Sequence, residues 1–235
     1  MFVQVIQGRV SDATQLRQGL DDWMARLAPD AEGWLGSTAG VTEDGTSVAV
    51  VRFASAEAAR RNSERAQQGE WWSGMSKLFL GDVTFHDCSE VVSVRAGGSD
   101  DAGFVQVMQG RTRDLARLRE VDAMFEQRFP DLRPELLGYL VAVHDNEDGA
   151  FTLAAYFTSE QAARAGEREE PPPEAAELRA SSRNHRDFVG PETPTGPLPD
   201  GRPEPALEVI EIPIVARLEL ARRNAGGSRA AISRT

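Results

Sequence analysis

FVQVIQGR, residues 2–9, returns as FVQVMQGR at residues 104–111, seven of the eight positions being identical after an offset of 102. Val3, Val5 and Ile6 in the first octapeptide, and Val105 and Val107 in the second, make each a strand. The likeness runs on beyond it. Leu16, Trp23 and Leu27 match Leu118, Phe125 and Phe129, and Gly36 in GWLGS matches Gly138 in LLGYL. After a two-residue insertion, EDGTSVAVVRFASAEAAR (residues 43–60) aligns with EDGAFTLAAYFTSEQAAR (residues 147–164). A period of this length is too long for a solenoid, so it marks a duplicated domain.

Each copy reads strand, helix, strand, strand, helix, strand. In the first, Ser11 or Asp12 can cap a helix whose Ala13, Leu16, Leu20, Trp23 and Leu27 fall at 3.6-residue spacing, and Pro29 stops it. Residues 33–41 and 47–53 flank Asp44-Gly45, a hairpin signal. Ser55 caps the next helix, and Thr158 with Gln161 has capping-box spacing in the second copy. A short helical piece over residues 71–80 and a fourth strand over 83–92 complete the unit. This βαββαβ order is the ferredoxin-like arrangement, with helices on one face of the sheet. The other face needs cover. The fold class is therefore α+β: two tandem ferredoxin-like domains whose sheets pack face to face as an intramolecular dimeric α/β barrel.

The expected boundaries are residues 1–96 for the first domain, 97–103 for a linker, 104–216 for a divergent second domain, and 217–235 for a disordered tail. The second copy replaces GEWWSGMSKLF with a stretch holding three prolines, and a Pro-rich insertion, 189–206, interrupts its end. Prolines cannot donate to a ladder. Residues 207–215 are the candidate for its missing fourth strand; a strand lent to another molecule, or a locally ordered tail, is the alternative.

The net charge of −11 disfavours a phosphate-binding surface, so no nucleic acid is expected. No apolar run is long enough for a membrane span. A lone cysteine, Cys88, excludes a disulfide framework, and a cytoplasmic location is expected. No phosphate loop or nucleophile elbow is present.

Tandem units opening FVQVxQGR, with GWLGS, RFASAEAARRNSER, EWW and VTFHD in the first, resemble an actinobacterial group of proteins similar to the antibiotic biosynthesis monooxygenase (ABM) superfamily of dimeric α/β barrels. The resemblance covers residues 1 to about 188. It implies the barrel fold, no cofactor, and a small-molecule ligand. That superfamily holds cofactor-independent monooxygenases, haem-degrading enzymes, isomerases and proteins with no known reaction. Its haem-degrading members place an Asn–Trp–His set with the histidine on a helix, whereas His86 stands on a predicted strand, which speaks against haem.

Within this frame Gln4 and its repeat Gln106 are candidates to meet a ligand carbonyl in the barrel interior, or to satisfy a backbone group between the sheets. Arg52 and Tyr156 precede the matched Phe53 and Phe157 and so face the barrel. Arg52 can receive a substrate carboxylate or enolate, or pair with a carboxylate of the other half. Of the adjacent Trp71 and Trp72, one packs inward and the other lines the cleft mouth. His86 shares a face with Thr84 and Cys88 and suits a general base, and Asp87, on the opposite face, cannot orient it. The resemblance offers Asn62 as a second contact to substrate oxygens. His144 and His185 lie at unrelated positions, and three histidines without regular spacing predict no metal site.

Two functions follow as expectations. The first is a cofactor-independent monooxygenase-like or isomerase-like enzyme, acting on an aromatic or polyketide-like molecule in the cleft of the first domain. His86 and Arg52 would be catalytic, and Asn62, Trp71, Trp72, Gln4, Tyr156 and Gln106 would line the cleft. The second is a non-catalytic ligand-binding or structural barrel. A cavity of about 300 Å³ holding Arg52 and His86 would favour the first. Either way one chain closes the barrel, so a monomer is expected, with a further homodimer as the other option.

Overall fold

The computed structural model describes residues 1–99, 101–111, 116, 119, 133–168, 208–212 and 214–218. The first half runs β1 (Phe2–Arg9), α1 (Ala13–Arg26), β2 (Trp34–Val41), β3 (Thr46–Phe53), α2 (Ala56–Ser63), α3 (Ala66–Met75), β4 (Thr84–Cys88) and β5 (Glu90–Val94). The second runs β6 (Phe104–Arg111), β7 (Leu136–Val143), β8 (Ala150–Phe157), α4 (Glu160–Arg168), β9 (Glu208–Ile212) and β10 (Ile214–Leu218). Phe125 and Phe129, the insertion 189–206 and His185 lie outside the described residues. No described helix is long and apolar enough to cross a membrane.

The helix starts follow their caps. Asp12 accepts from the backbone N–H of Thr14 and Gln15 at 2.8 and 2.9 Å, and Ser55 from Ala58 at 3.1 Å. In the second half Ser159, not Thr158, takes this role, accepting from Ala162 at 3.1 Å. That is the position the repeat assigns, since Ser159 is the counterpart of Ser55. The second helical piece begins earlier than residue 71, at Ala66, and ends in a tight turn over Ser76–Leu78.

Two antiparallel five-stranded sheets form, in the orders β10-β2-β3-β1-β4 and β5-β7-β8-β6-β9. The expected single fourth strand over 83–92 is instead two strands in different sheets. β4 pairs with β1, Val3 opposite Cys88, and β5 pairs with β7, Glu90 opposite Val143. The second half repeats the pattern: β9 pairs with β6, Val105 opposite Ile212, and β10 pairs with β2, Arg217 opposite Thr38. Arg217 and Leu218, assigned from the sequence to a disordered tail, are strand residues. Each sheet edge is therefore continued covalently into an edge of the other sheet.

Strand alternation sorts the side chains into three layers. Between the sheets lie Val3, Val5, Val48, Val50 and Cys88 from the first half, with Val105, Val107, Leu140, Ala142, Ala154 and Tyr156 from the second. On the outer face of the first sheet, Phe2, Trp34 and Phe53 meet Trp23 and Leu27 of the α1 region and Ala58 of α2. Phe104, Phe151 and Phe157 pack with Ala163 of α4 on the second. Gly33, at φ +80°, makes the entry to β2, and a Cβ there would come within 2.7 Å of the Ala58 methyl. Few other residues tolerate that backbone, and none fits that space.

The repeated arginine has a structural task in both halves. Arg9 donates to the Asp44 carbonyl at 3.0 Å, and Arg111 to the Asp148 carbonyl at 3.0 Å. Each binds the β-hairpin of its own half.

Candidate functional site

The repeated glutamines do not enter the barrel. Gln4 follows Phe2 on the helix side, and its Nε2 donates to Asp87 Oδ1 at 2.8 Å. Gln106 follows Phe104 on the corresponding side and donates to Glu167 of α4 at 3.0 Å. The interior placement expected for both is corrected by this parity. Burial of Phe2 and Phe104 under helices fixes which face the glutamines take.

Arg52 and Tyr156 do lie between the sheets, at 5% and 0% exposure. Tyr156 Oη shares a hydrogen bond of 2.9 Å with Thr38 Oγ1, which joins the second half to the first. Arg52 sits opposite Val3, while His86 sits opposite Val5 on the far side of β1. Two strand spacings and two residues separate their backbones by about 12 Å. They do not converge on one atom.

The tryptophans and Asn62 belong to the helix layer. Trp71 Nε1 donates to the Gly19 carbonyl at 2.9 Å, which pins α3 on α1. Trp72 is half-buried against Phe79 and Phe85, with centroids at 6.0 and 5.3 Å. Asn62 is 8% exposed, and its Oδ1 accepts from Arg65 at 3.0 Å while Arg65 also donates to the Leu27 carbonyl at 3.1 Å. That arrangement ties the end of α2 to the end of α1. The expected site residues are thus divided by the first sheet into two groups facing opposite ways.

The cavity lined by Thr38, Ala39, Gly40, Val48, Val50, Val105 and Val107 measures about 10 Å³. That is no more than one water molecule occupies, and far below a ligand pocket. It includes neither Arg52 nor His86, so it is not the cleft expected between the sheets.

What the structure does assemble lies at one end of the barrel, where β4 of the first half meets the β7–β8 hairpin of the second. His86 Nδ1 is 2.6 Å from Glu147 Oε1, and Arg111 holds the other carboxylate oxygen at 3.2 Å. His144, on the residue after β7, stacks on His86 with ring centroids 4.2 Å apart and planes 19° from parallel. Its Nε2 is 2.9 Å from Thr152 Oγ1, which also accepts from Gln109 at 3.1 Å, and its Nδ1 faces Glu147 Oε1 at 3.6 Å. His86 is one-fifth exposed while His144 is 7% exposed. Burial, followed by the neighbouring His86, pushes the His144 pKa below its ordinary value. Burial, with Asp145, Asp87 and Glu147 nearby, pushes the Cys88 thiol up to about 12.

His86 therefore has an orienting carboxylate, supplied by the other half and not by its neighbour Asp87. His144, Glu147, Thr152 and Arg111 had no place in the expected site. One sequence signal pointed to them: the second copy's hairpin carries two extra residues, Asp145 and Asn146, and has His144 where the first copy has Thr42. Strand register places Ile210, opposite Val107, in the slot that His86 occupies opposite Val5. The duplication made two barrel ends, and the histidines stand at one.

No family model matches the chain, and no curated protein does. Solved structures do. A "putative monooxygenase" from Fusobacterium nucleatum superposes with a TM-score of 0.70 at 9% identity, over 93% of this chain and 94% of that one. A "putative monooxygenase" from Lactobacillus acidophilus gives 0.66 at 10% identity, over 93% and 95%. An anthrone oxidase-like protein gives 0.55 at 13% identity, over 90% and 91%. At such identities the likeness is one of fold, shared over nine-tenths of each chain.

Proposed function

We propose that the protein is a monooxygenase-like enzyme needing no cofactor, that its substrate is an aromatic or polyketide-like small molecule, and that the rim of the barrel at His86 is where it acts. The observation carrying this is the 2.6 Å contact between His86 Nδ1 and Glu147 on a histidine that is one-fifth exposed. With Nδ1–H donated to the carboxylate, Nε2 holds the free lone pair and serves as general base. A carbon acid flanked by aromatic rings loses its proton to His86, and the carbanion is oxidised by dioxygen. The resulting hydroperoxide loses water to leave a ketone, so one oxygen atom enters the product and the other leaves as water. The likeness to an anthrone oxidase-like fold supports this choice of substrate class.

The test is oxygen uptake with an anthrone, comparing the wild type with His86→Ala and Glu147→Gln. Removing a general base typically costs about 10²–10⁴-fold in rate. Wild-type uptake indistinguishable from buffer, or equal in His86→Ala, ends this reading.

The packed interior, with a cavity of about 10 Å³, favours a second reading: a non-catalytic barrel that the duplication simply completes. In that case the rim binds no anthrone and the His86 and Glu147 variants change only stability.

A further inference from the structure

His86, His144 and Glu147 each offer one donor atom, all within 4.8 Å of one another. Two features separate this group from a surface ion pair. His144 Nδ1 is buried, aimed into the cluster, and has no hydrogen-bond partner among the described residues. An imidazole nitrogen left so is costly unless something takes its lone pair. Two of the three donors are also supported from behind. Thr152 holds His144 Nε2 at 2.9 Å, and Arg111 holds the second Glu147 oxygen at 3.2 Å. Outer contacts of this kind fix the tautomer and orientation of metal ligands.

We infer that His86 Nδ1, His144 Nδ1 and a Glu147 oxygen form a site for a divalent first-row transition cation, with zinc as the natural probe. Two imidazoles and one carboxylate are borderline donors suited to zinc, cobalt, nickel or copper rather than magnesium or calcium. Zinc–nitrogen and zinc–oxygen distances of about 2.0–2.2 Å in a tetrahedron put ligand atoms about 3.3 Å apart. The 3.6 Å between His144 Nδ1 and Glu147 is close to that already. The 2.6 Å between His86 Nδ1 and Glu147 must widen as the cation replaces the shared proton, and the two rings, stacked 19° from parallel, must tilt so that both in-plane lone pairs meet the cation. Three protein ligands leave a fourth position for water. The ligands come from both halves, so the cation bridges β4 to the β7–β8 hairpin.

Cation binding does not rest on the proposed oxygenase activity, but one consequence does. A metal on Nδ1 leaves the His86 proton on Nε2, which then cannot act as base, so the cation inhibits.

Untagged protein is titrated with zinc by calorimetry and with cobalt by visible absorption, both independent of oxygen uptake. One cation per chain is expected, with affinity at least 100-fold weaker in His144→Ala and in His86→Asn. Thr152→Val, which alters only the outer contact, should weaken binding about 10–100-fold. His185→Ala is the control and keeps full affinity. Circular dichroism confirms folding of each variant, and because His86 is partly exposed, His86→Asn keeps the test open should His144→Ala not fold. Absence of saturable uptake, or His86→Asn binding as the wild type does, overturns the site. Zinc binding without inhibition of an active enzyme overturns only the base assignment.

Discussion

Ser89 gives both its backbone N–H and its hydroxyl to the two carboxylate oxygens of Asp145, each at 2.8 Å. The backbone N–H of Asp145 in turn donates to the Asp87 carbonyl at 2.8 Å. Ser89 is the one residue between β4 and β5, so this clasp sits where the chain leaves the first sheet for the second. Asp145 also belongs to the two-residue insertion that separates the second hairpin from the first. The residue at which the chain changes sheets is thus held by the insertion that lies between His144 and Glu147.

Asp145→Ala therefore removes two hydrogen bonds to a charged acceptor at an exposed crossing. The expected cost is about 1–2 kcal/mol. In urea the midpoint should fall while the slope is unchanged, because the folded surface stays the same. A variant as stable as the wild type would mean that the crossing is held by strand pairing alone.

The Thr38–Tyr156 contact is a direct bond between the two sheets, and both residues are buried. Thr38→Val and Tyr156→Phe should each cost about 1 kcal/mol, and the double variant less than the sum. Coupling within about 0.3 kcal/mol of zero in the cycle would show that the halves do not depend on this bond.

Cys88 is fully buried between the sheets, and burial raises its thiol to about 12. Only the thiolate is nucleophilic. The native protein should therefore resist alkylation at pH 8 and take up one label per chain on unfolding. The sign of the alkaline effect follows. As pH rises past the ordinary value of 9.0, the unfolded chain loses the thiol proton while the folded one keeps it. Stability contributed by this group is intact below about 9 and is lost as pH rises toward 12. Stoichiometric native labelling within minutes at pH 8 would contradict the burial.

Much of the fold was legible because duplication writes each element twice. Phe53 and Phe157 identified the helix face of both third strands, and Asp44-Gly45 marked the first hairpin. Faces were harder. Gln4 looked like an interior residue because nothing local distinguishes one face of a short strand from the other. Phe2, two positions earlier, decides it by packing under Trp23 and Trp34. The rim site was illegible for a different reason. His86 and His144 come from different halves, and their stacking depends on β4 and the second hairpin meeting across the barrel, which spacing along the chain does not encode. Likewise a bend at Ser89 is invisible until its partner Asp145 is in place.

The strand exchange makes a last prediction about assembly. In the first sheet the outer strands are β10 and β4, and in the second they are β5 and β9. β4 continues into β5 and β9 into β10, so both exchanges of strands between the sheets are made within one chain. The whole protein should therefore scatter light as a single chain of 25.6 kDa. Residues 1–99 alone lack β7, the partner of β5, and β10, the partner of β2. Since β5 and β10 hold equivalent places in the two halves, β5 of one copy can pair with β2 of another. The excised half should then form a homodimer that rebuilds the barrel with two identical units. A full-length dimer that separates only on unfolding, or an excised half that is a folded monomer, would show that exchange of these strands is not what closes the structure.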